Sequence, residues 1–141
     1  MVKGNLQMEQ TLVLLKPDAV ERRLCGEILG RFERKGLKII RMRMLDLTPE
    51  LARVHYADHV GKPFYPDLEL YITSGSVVAV ILEGDEAVAV VRKMIGVTNG
   101  IEAESGTIRG DLSMSKRQNL VHASDSTESA KREIKNFFPE N

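Results

Sequence analysis

Apolar residues along the chain form two kinds of pattern, continuous runs and runs with helical spacing. Residues 11–15 and 77–82 are almost continuously apolar, which is typical of strands buried on both faces of a sheet. Between them, Ile40, Met42 and Met44 alternate with arginines, which predicts a strand with one face in water. The pattern therefore predicts two central strands and one strand that is half exposed.

Helical spacing predicts helices between and after these strands. Leu24, Ile28 and Phe32 recur every four residues and are followed by Gly36, a residue type that is common just past a helix end. Further segments of this kind are a helix after Thr48 and Pro49, a short helix at residues 67–74, and a helix from an N-cap at Asp85 to Gly96. Strands that alternate with helices are, taken alone, typical of a parallel α/β sheet.

The segment at residues 97–119 has no clear periodicity. A loop of this length in a compact domain is uncommon and often functional. After it, residues 120–121 have the character of a short buried strand, and residues 124–126 offer three N-cap residue types for a helix at residues 127–138. The sequence therefore predicts that His122 lies where a strand gives way to a helix.

The helix after His122 carries a carboxylate beside its apolar face. That face is formed by Ala130, Ile134, Phe137 and Phe138, and Glu133 flanks it. If Glu133 accepts the proton of one His122 ring nitrogen, the other nitrogen keeps a lone pair, and this arrangement makes a histidine nucleophilic. The same residues also fit a structural histidine and a solvated helix charge, and this segment alone does not decide between the two interpretations.

Composition narrows the class of protein. The length of 141 residues fits one domain, and the formal net charge of zero argues against a nonspecific binder of nucleic acid or of anionic membranes. Cys25 is the only cysteine, which excludes an internal disulfide and fits a reducing compartment. No apolar run approaches transmembrane length and the first residues lack a signal-peptide core, so the cytoplasm is the expected location. We expect a short N-terminal extension at residues 1–8 and a single domain at residues 9–141.

Six short motifs occur in the order in which one known family carries them. They are Lys16-Pro17-Asp18, His55-Tyr56, Pro63-Phe64-Tyr65-Pro66, Thr98-Asn99, Gly106-Thr107-Ile108-Arg109-Gly110-Asp111 and the segment from Asn119 to Ser126 that contains His122. With these motifs the chain resembles the nucleoside diphosphate kinases over nearly its whole length, from Glu9 to Phe138. The resemblance favours a functional role for polar residues that would otherwise be interpreted as ordinary surface groups.

The family resemblance implies a fold and an activity. The implied fold is α+β, a ferredoxin-like βαββαβ core with a four-stranded antiparallel sheet and additional helices; we follow it over the parallel sheet, since periodicity does not report strand direction. The implied reaction is transfer of the γ-phosphoryl group of a nucleoside triphosphate, typically ATP, to a nucleoside diphosphate. It is expected to proceed by a ping-pong mechanism through a phosphohistidine on His122. The resemblance also implies homo-oligomers built from dimers, as tetramers or hexamers, although Gly100 replaces a usual proline near subunit contacts.

The resemblance also gives roles to the matching side chains. Those expected to be catalytic are His122, Glu133, Lys16 and Tyr56, with Ser124 and Glu133 holding the histidine in place. Those expected to bind the nucleotide are Lys16, Phe64, Arg92, Thr98, Arg109 and Asn119. Within this set Phe64 matches the residue on which the base stacks, and stacking tolerates any base because every base has a π-face. Broad nucleotide specificity is therefore expected.

Metal binding is expected to occur through the substrate. Mg²⁺ should arrive on the nucleotide phosphates, because the sequence offers no cage of carboxylates, and Asp125 is the one nearby acid that we consider as an outer ligand. His55 and His59 lie four residues apart, a spacing that can bind a metal on one helix face. No third ligand accompanies them in the sequence, so both are interpreted as ordinary helix residues.

Two other classes of function compete with an active kinase. The first is a catalytically inactive nucleotide-binding regulatory module, which is expected to lack His122, Lys16 or Arg109; all three are present. The second is a scaffold or DNA-binding protein. The neutral net charge and the absence of a groove-reading motif count against this second class.

Overall fold

The computed structural model describes residues 8–141, which form one four-stranded sheet and seven α-helices. The strands are β1 (Met8–Leu15), β2 (Lys38–Asp46), β3 (Ser76–Asp85) and β4 (Val121–Ala123). The helices are α1 (Pro17–Glu21), α2 (Cys25–Lys35), α3 (Pro49–His55), α4 (Tyr65–Ile72), α5 (Ala87–Ile95), α6 (Ile108–Leu112) and α7 (Thr127–Phe137), and a 3₁₀ turn (Ala57–His59) follows α3. Met8, which the sequence places in the N-terminal extension, is the first residue of β1 and pairs with Asp85, whereas the rest of that extension lies outside the described residues.

The sheet has the strand order β2-β3-β1-β4, and each pair of neighbouring strands is antiparallel. Helices connect β1 to β2 and β3 to β4, which gives the βαββαβ order of a ferredoxin-like core. The predicted α+β fold is therefore confirmed. The parallel sheet that alternation alone indicates is wrong, because β2 and β3 lie side by side in opposite directions although α3 and α4 separate them in sequence.

Strand β1 lies in the middle of the sheet with helices on both sides. Val13 and Leu15 are fully buried in a core that includes Phe32 of α2. Leu12 and Leu14 are fully buried on the opposite face, which α3, α4 and α7 cover. Each such side chain contributes about 1.5–3 kcal/mol through burial. The continuous apolar run of β1 is therefore explained by burial on two faces.

Strand β2 forms one edge of the sheet, and its methionines are more exposed than the alternating pattern predicts. Met42 and Met44 are 52% and 61% exposed. The arginines that alternate with them, Arg41 and Arg43, both pair with Glu140. Among residues 8–141, the one strand beside β2 is β3, so the outer edge of β2 keeps backbone groups free for another strand.

The N-cap of α5 differs from the one that the sequence predicts, whereas that of α7 is one of its three candidates. Asp85 is the last residue of β3, and Glu86, with a φ of 52°, precedes α5. The carboxylate of Glu9 in β1 accepts a hydrogen bond from Val88 N at 2.8 Å and so satisfies a free donor in the first turn of α5. At α7 the N-cap is Ser126, whose hydroxyl accepts from Ser129 N at 3.0 Å. A side chain from a distant strand thus replaces the local cap at α5.

The segment between α5 and β4 contains one short helix, α6, and otherwise consists of turns. Thr107 is the N-cap of α6, and its hydroxyl accepts from Gly110 N at 2.9 Å. Within residues 8–141, no helix is both long enough and apolar enough to cross a bilayer.

Candidate active site

His122 is the middle residue of β4, and not the first residue after the strand as the sequence predicted. It lies opposite Leu14 in the antiparallel pair of β1 and β4. Because directly paired residues in an antiparallel sheet point to the same face, His122 lies on the face of Leu14, which α3 and α7 cover. Its neighbours in β4, Val121 and Ala123, belong to the core on the other face.

Glu133 holds one nitrogen of the His122 ring. His122 Nε2 lies 2.8 Å from Glu133 Oε1, and Ser124 Oγ donates to the same oxygen at 2.7 Å. Ser124 Oγ in turn accepts from Leu12 N of β1 at 3.3 Å. Since an ionised carboxylate only accepts hydrogen bonds, the neutral His122 ring carries its proton on Nε2 and leaves a lone pair on Nδ1.

The Glu133 carboxylate stays ionised although it is buried. Glu133 is 5% exposed, and this burial alone would raise its pKa. Hydrogen bonds from His122 and Ser124 outweigh the effect of burial and hold the pKa of Glu133 below its usual value. An acceptor for the His122 proton is therefore present throughout the neutral range.

His55 packs against His122, a contact that the sequence did not predict. The two ring centroids are 4.5 Å apart with an angle of 84° between the planes, and His55 also meets Phe137 edge-on at 5.2 Å. His55 is 7% exposed. Burial and the proximity of His122 lower its pKa from 6.5 to about 3. His55 is thus a neutral wall of the site, and only its place in the His55-Tyr56 motif could have marked it.

The buried neutral state of His55 predicts a pH dependence of stability. The unfolded chain binds a proton at His55 below about pH 6.5, whereas the folded chain does not bind it until about pH 3, so stability falls as the pH drops through this window. Between pH 6.5 and pH 5 the loss amounts to about 2 kcal/mol. We expect His55→Phe to flatten the profile of unfolding free energy against pH in urea titrations at pH 5–7. The matched variant His59→Phe should keep the parent slope, and equal slopes for the parent and His55→Phe would contradict the assignment.

Lys16 and Asn119 meet across 103 residues of sequence. Lys16 directly follows β1 and is the N-cap of α1. Its Nζ donates to Asn119 Oδ1 at 2.9 Å, and the amide of Asn119 donates to the carbonyl oxygens of Thr98 and Lys116. Burial, followed by the charge of Arg109, lowers the pKa of Lys16 from 10.5 to about 8.

The backbone beside Asn119 is fixed by an unusual turn. Leu120 has a φ of 74°, in the left-handed region that non-glycine residues rarely adopt. Its N–H donates to Asp18 Oδ2 at 3.1 Å, and its carbonyl oxygen accepts from Lys16 N at 2.8 Å. Tyr71 donates its hydroxyl to the other oxygen of Asp18. The Lys16-Pro17-Asp18 motif therefore also anchors the strand that carries His122.

Arg109 is buried, and its guanidinium joins two chain segments through three carbonyl oxygens. It donates to the carbonyl oxygens of Gly96, Asn119 and Val121, at 2.9, 3.2 and 2.6 Å. Burial, together with the charge of Arg92, lowers the pKa of Arg109 to about 10. Within residues 8–141 its hydrogen-bond acceptors are all carbonyl oxygens, which carry no full negative charge to compensate the guanidinium. The resulting positive potential next to His122 suits an anion.

An open cleft of about 740 Å³ lies beside this positive region. Its lining includes four residues that the sequence predicts to bind a nucleotide: Lys16, Phe64, Thr98 and Asn119. Phe64 is 43% exposed at the entrance, a degree of exposure that is unusual for an aromatic residue of a packed core. The volume falls in the range of small-molecule sites.

Other predicted residues lie close to His122 but outside this lining. Arg92 is exposed on α5 and donates to the carbonyl oxygen of Ala123 at 3.2 Å. Tyr56 packs edge-on against His55, with 4.5 Å between the ring centroids, and its buried hydroxyl has no partner among the described residues. The side chain of Ser129 and the charge of Arg92 both lower the pKa of Asp125. Asp125 is therefore an anion at the rim of the site.

Comparison with known proteins identifies the family. A family model described as nucleoside diphosphate kinase matches residues 9–141. The chain belongs to the nucleoside diphosphate kinase family. Its activity is accordingly that of a nucleotide phosphotransferase, which moves the γ-phosphoryl group of a nucleoside triphosphate to a nucleoside diphosphate.

Individual nucleoside diphosphate kinases are similar over almost the whole chain. That of Rhodopirellula baltica is 61% identical over 131 residues, which are 93% of this chain and 86% of that protein. That of Staphylothermus marinus is 60% identical over 133 residues, which are 94% of each. The solved structure of the halophilic enzyme from Halobacterium salinarum in complex with CDP matches with a TM-score of 0.91 and 43% identity, and covers 94% of this chain and 88% of that one.

Proposed function

We propose that this nucleoside diphosphate kinase works by a ping-pong mechanism in which His122 Nδ1 receives the γ-phosphoryl group and then passes it to the acceptor. The observation that carries the proposal is the 2.8 Å contact between His122 Nε2 and Glu133 Oε1. This contact fixes the proton on Nε2 and stabilises the ring when the phosphoryl group makes it more positive. In the first half-reaction a bond forms from Nδ1 to the γ-phosphorus as the bond to the β–γ bridging oxygen breaks, and the second half-reaction reverses these steps on a diphosphate.

Cationic groups and a hydroxyl are proposed to hold the phosphates during the transfer. Phosphoryl transfer depends mainly on positioning and on neutralisation of charge. Lys16, Arg92 and Arg109 supply the positive charge, and Thr98 at the cleft supplies a hydroxyl. Tyr56 packs against His55, which in turn packs against His122, and its buried hydroxyl has no partner within residues 8–141. We assign this hydroxyl to orienting the phosphoryl group. Each charge-assisted hydrogen bond to phosphate is worth about 1.5–3 kcal/mol.

The cleft is proposed to bind the nucleoside part of the substrate. Phe64 offers an exposed ring on which a base can stack, and Lys16 and Asn119 present polar atoms deeper in the same cleft for the ribose hydroxyls. The Halobacterium salinarum relative, whose structure contains CDP, supports a nucleotide in this fold. Because no base-specific donor or acceptor is needed for stacking, one cleft can serve donor and acceptor nucleotides in turn.

Mg²⁺ is proposed to enter with the nucleotide. The residues that line the cleft in the described part of the chain include no carboxylate, so the phosphate oxygens themselves must supply most of the ligands of the ion. When bound in this way, Mg²⁺ neutralises charge on the phosphates. Asp125 at the rim, beside Arg92, fits the role of an outer partner through water.

The test of this mechanism is isolation of the phosphorylated protein. The protein is mixed with γ-labelled ATP and Mg²⁺ and freed of nucleotide, and we expect a phosphate that is stable in alkali, labile in acid and located on His122. Addition of dTDP alone should then move the label to dTTP. Label on another residue, or exchange of phosphate without a labelled protein, would show that the reaction takes a different course. A protein that binds nucleotide and neither accepts nor exchanges label would instead be the regulatory module.

Loss of the Phe64 ring is expected to weaken nucleotide binding without selecting between bases. Removal of one base–aromatic stack costs about 1–2 kcal/mol, so Phe64→Ala should raise KM roughly 5–30-fold for purine and pyrimidine nucleotides alike. Steady-state kinetics with several diphosphates would measure this. Leu70→Ala is the matched control, because Leu70 is 72% exposed on α4, the helix that Phe64 precedes, and does not line the cleft. A change limited to one base would mean that Phe64 recognises it specifically.

The exposed edge of the sheet is proposed as the contact of a homodimer, on which tetramers or hexamers are built. The unpaired outer edge of β2 can add the β2 strand of a second copy, and Met42 and Met44 supply exposed apolar surface there. Light scattering after gel filtration should report dimers or their multiples. Met44→Lys should release monomers, whereas Met114→Lys, on a side chain that is 82% exposed in a distant loop, should leave the dimer unit intact.

We also propose one catalytic domain over residues 9–141, preceded by a short extension, and a cytoplasmic location. The two cores share the single sheet, which supports one domain. The free thiol of Cys25 and nucleotide substrates support a reducing compartment.

A further inference from the structure

His55 is a buried polar side chain that lacks a hydrogen-bond partner. It is 7% exposed, and neither of its ring nitrogens has a partner among the described residues. A buried polar atom that loses its hydrogen bond costs about 1–3 kcal/mol, and most such atoms in native proteins have a protein, water or ligand partner. His55 is an exception to this rule, and the centroid of its ring lies 4.5 Å from that of His122, the proposed catalytic histidine. A ligand for His55 would therefore also contact His122.

The surroundings of His55 form a set of metal ligands. One ligand atom each from His55, His122 and Glu133 lie within 4.8 Å of one another. Two imidazoles and one carboxylate are a frequent set around Zn²⁺, with bonds of about 2.0–2.2 Å and a fourth position for water. Bonds of this length in a tetrahedral site place the ligand atoms about 3.4 Å apart. Their present separations of no more than 4.8 Å are therefore close enough for side-chain rotations to close the site. His55 and Glu133 come from α3 and α7, which pack on the same core, and His122 comes from β4.

We propose that His55, His122 and Glu133 form an inhibitory site for a borderline-soft divalent cation, with Zn²⁺ as the representative ion. Nitrogen ligands favour such ions over Mg²⁺, which prefers oxygen ligands and keeps its water. A millimolar excess of Mg²⁺ therefore leaves the site available to Zn²⁺. The inhibitory half of this proposal rests on the proposed role of His122, whereas the binding half does not.

The inhibition follows from competition for the His122 ring. A metal ion on Nδ1 occupies the lone pair that would attack the phosphorus. A metal ion on Nε2 displaces the contact with Glu133 Oε1 and adds positive charge to the ring, which makes Nδ1 a weaker nucleophile. In both cases a chain that holds the metal ion cannot at the same time be phosphorylated on His122.

The experiment measures metal binding and phosphorylation separately on the full chain. Equilibrium dialysis with Zn²⁺ in excess Mg²⁺ should give one ion per chain, and Co²⁺ in its place should give the intense visible absorption of a four-coordinate site. Loss of a group that only hydrogen-bonds to a metal ligand costs 10–100-fold in metal affinity. His55 is a direct ligand in this proposal, so His55→Phe should weaken Zn²⁺ binding by at least about 10-fold. His59→Phe and Cys25→Ser are the controls and should bind like the parent protein.

Phosphorylation by labelled ATP provides the second arm. Zn²⁺ should slow labelling of the parent protein and of both control variants, and should have at least about 10-fold less effect on His55→Phe. His55→Asn, a smaller replacement, takes the place of His55→Phe if thermal unfolding shows that the latter does not fold. Equal Zn²⁺ affinity in the parent and His55 variants would overturn the site. If Zn²⁺ binding depends on His55 but Zn²⁺ does not slow labelling, the metal site stands and the inhibition is overturned. If the metal-free protein is not labelled at all, the result counts against the kinase mechanism and not against the metal site.

Discussion

His122→Gln should lower the rate of phosphate exchange by roughly 10⁴-fold or more while the protein stays folded and binds nucleotide. Removal of a covalent nucleophile has effects of this size or larger in other enzymes, because no neighbouring group can form the intermediate. The fold should tolerate the change, since the His122 side chain is 22% exposed and the glutamine amide can still donate to Glu133. A coupled assay with ATP and dTDP measures the rate, and calorimetric titration with a diphosphate measures the binding.

The binding measurement separates the two functional hypotheses. If His122 only completes a regulatory nucleotide site, the parent protein should already exchange phosphate slowly. His122→Gln should then change nucleotide affinity and leave that slow exchange rate unchanged. If His122 carries the phosphoryl group, affinity for the diphosphate should change by less than about 3-fold, a loss under 1 kcal/mol. His59→Gln serves as the matched control for loss of an imidazole, because His59 lies in the 3₁₀ turn after α3 and its ring packs near those of Tyr56 and Phe64, whereas the ring that packs against His122 is that of His55. Retention of the parent exchange rate in His122→Gln would end the proposed mechanism.

The sequence predicted the candidate site best where the local pattern and the family motifs agreed. The phase of α7 placed Glu133 beside the apolar face of the helix and within reach of His122, and the resemblance added Ser124; the structure has Glu133 in contact with both side chains. The antiparallel sheet came from the resemblance alone. Periodicity could not supply it, because a buried strand has the same apolar pattern whichever direction its neighbours run. Local chemistry also misplaced the cap of α5, which Glu9 provides from another strand.

The contacts that the sequence did not predict join segments far apart in the chain. No neighbouring residue in the sequence indicates that His55 belongs to the site. Its place there comes from ring contacts with His122 of β4 and Phe137 of α7. The left-handed backbone of Leu120 is equally hidden, since leucine has no preference for that conformation and Asp18 stabilises it from 102 residues away. Arg109 was predicted as a phosphate ligand, but its three carbonyl contacts also give it a structural role.

Lys16→Met should make the nucleotide-free protein more stable and nearly inactive. The positive charge of Lys16 lies in a buried position next to Arg109, and burial is the main reason that its pKa falls to about 8. The folded protein therefore holds this proton less strongly than the unfolded chain does. Its stability is reduced below pH 8 and recovers as the pH rises from 8 to about 10.5. Methionine keeps the aliphatic length, loses one hydrogen bond to Asn119 and removes the buried charge.

The net effect at pH 7 should be a gain of about 1–2 kcal/mol, after subtraction of roughly 1 kcal/mol for the lost hydrogen bond. Urea titrations at pH 7 and pH 10 should show the gain at pH 7 and a much smaller one at pH 10. The exposed neighbour Lys116 also lines the cleft, so Lys116→Met is the control and should change stability by less than about 0.5 kcal/mol. Exchange activity of Lys16→Met should fall about 10²–10³-fold, because a phosphate contact worth several kcal/mol is gone. An anionic substrate offsets the cost of the buried Lys16 charge. Saturating nucleotide should therefore stabilise the parent protein more than it stabilises Lys16→Met. Equal stabilisation of the two proteins would mean that Lys16 does not contact the phosphates.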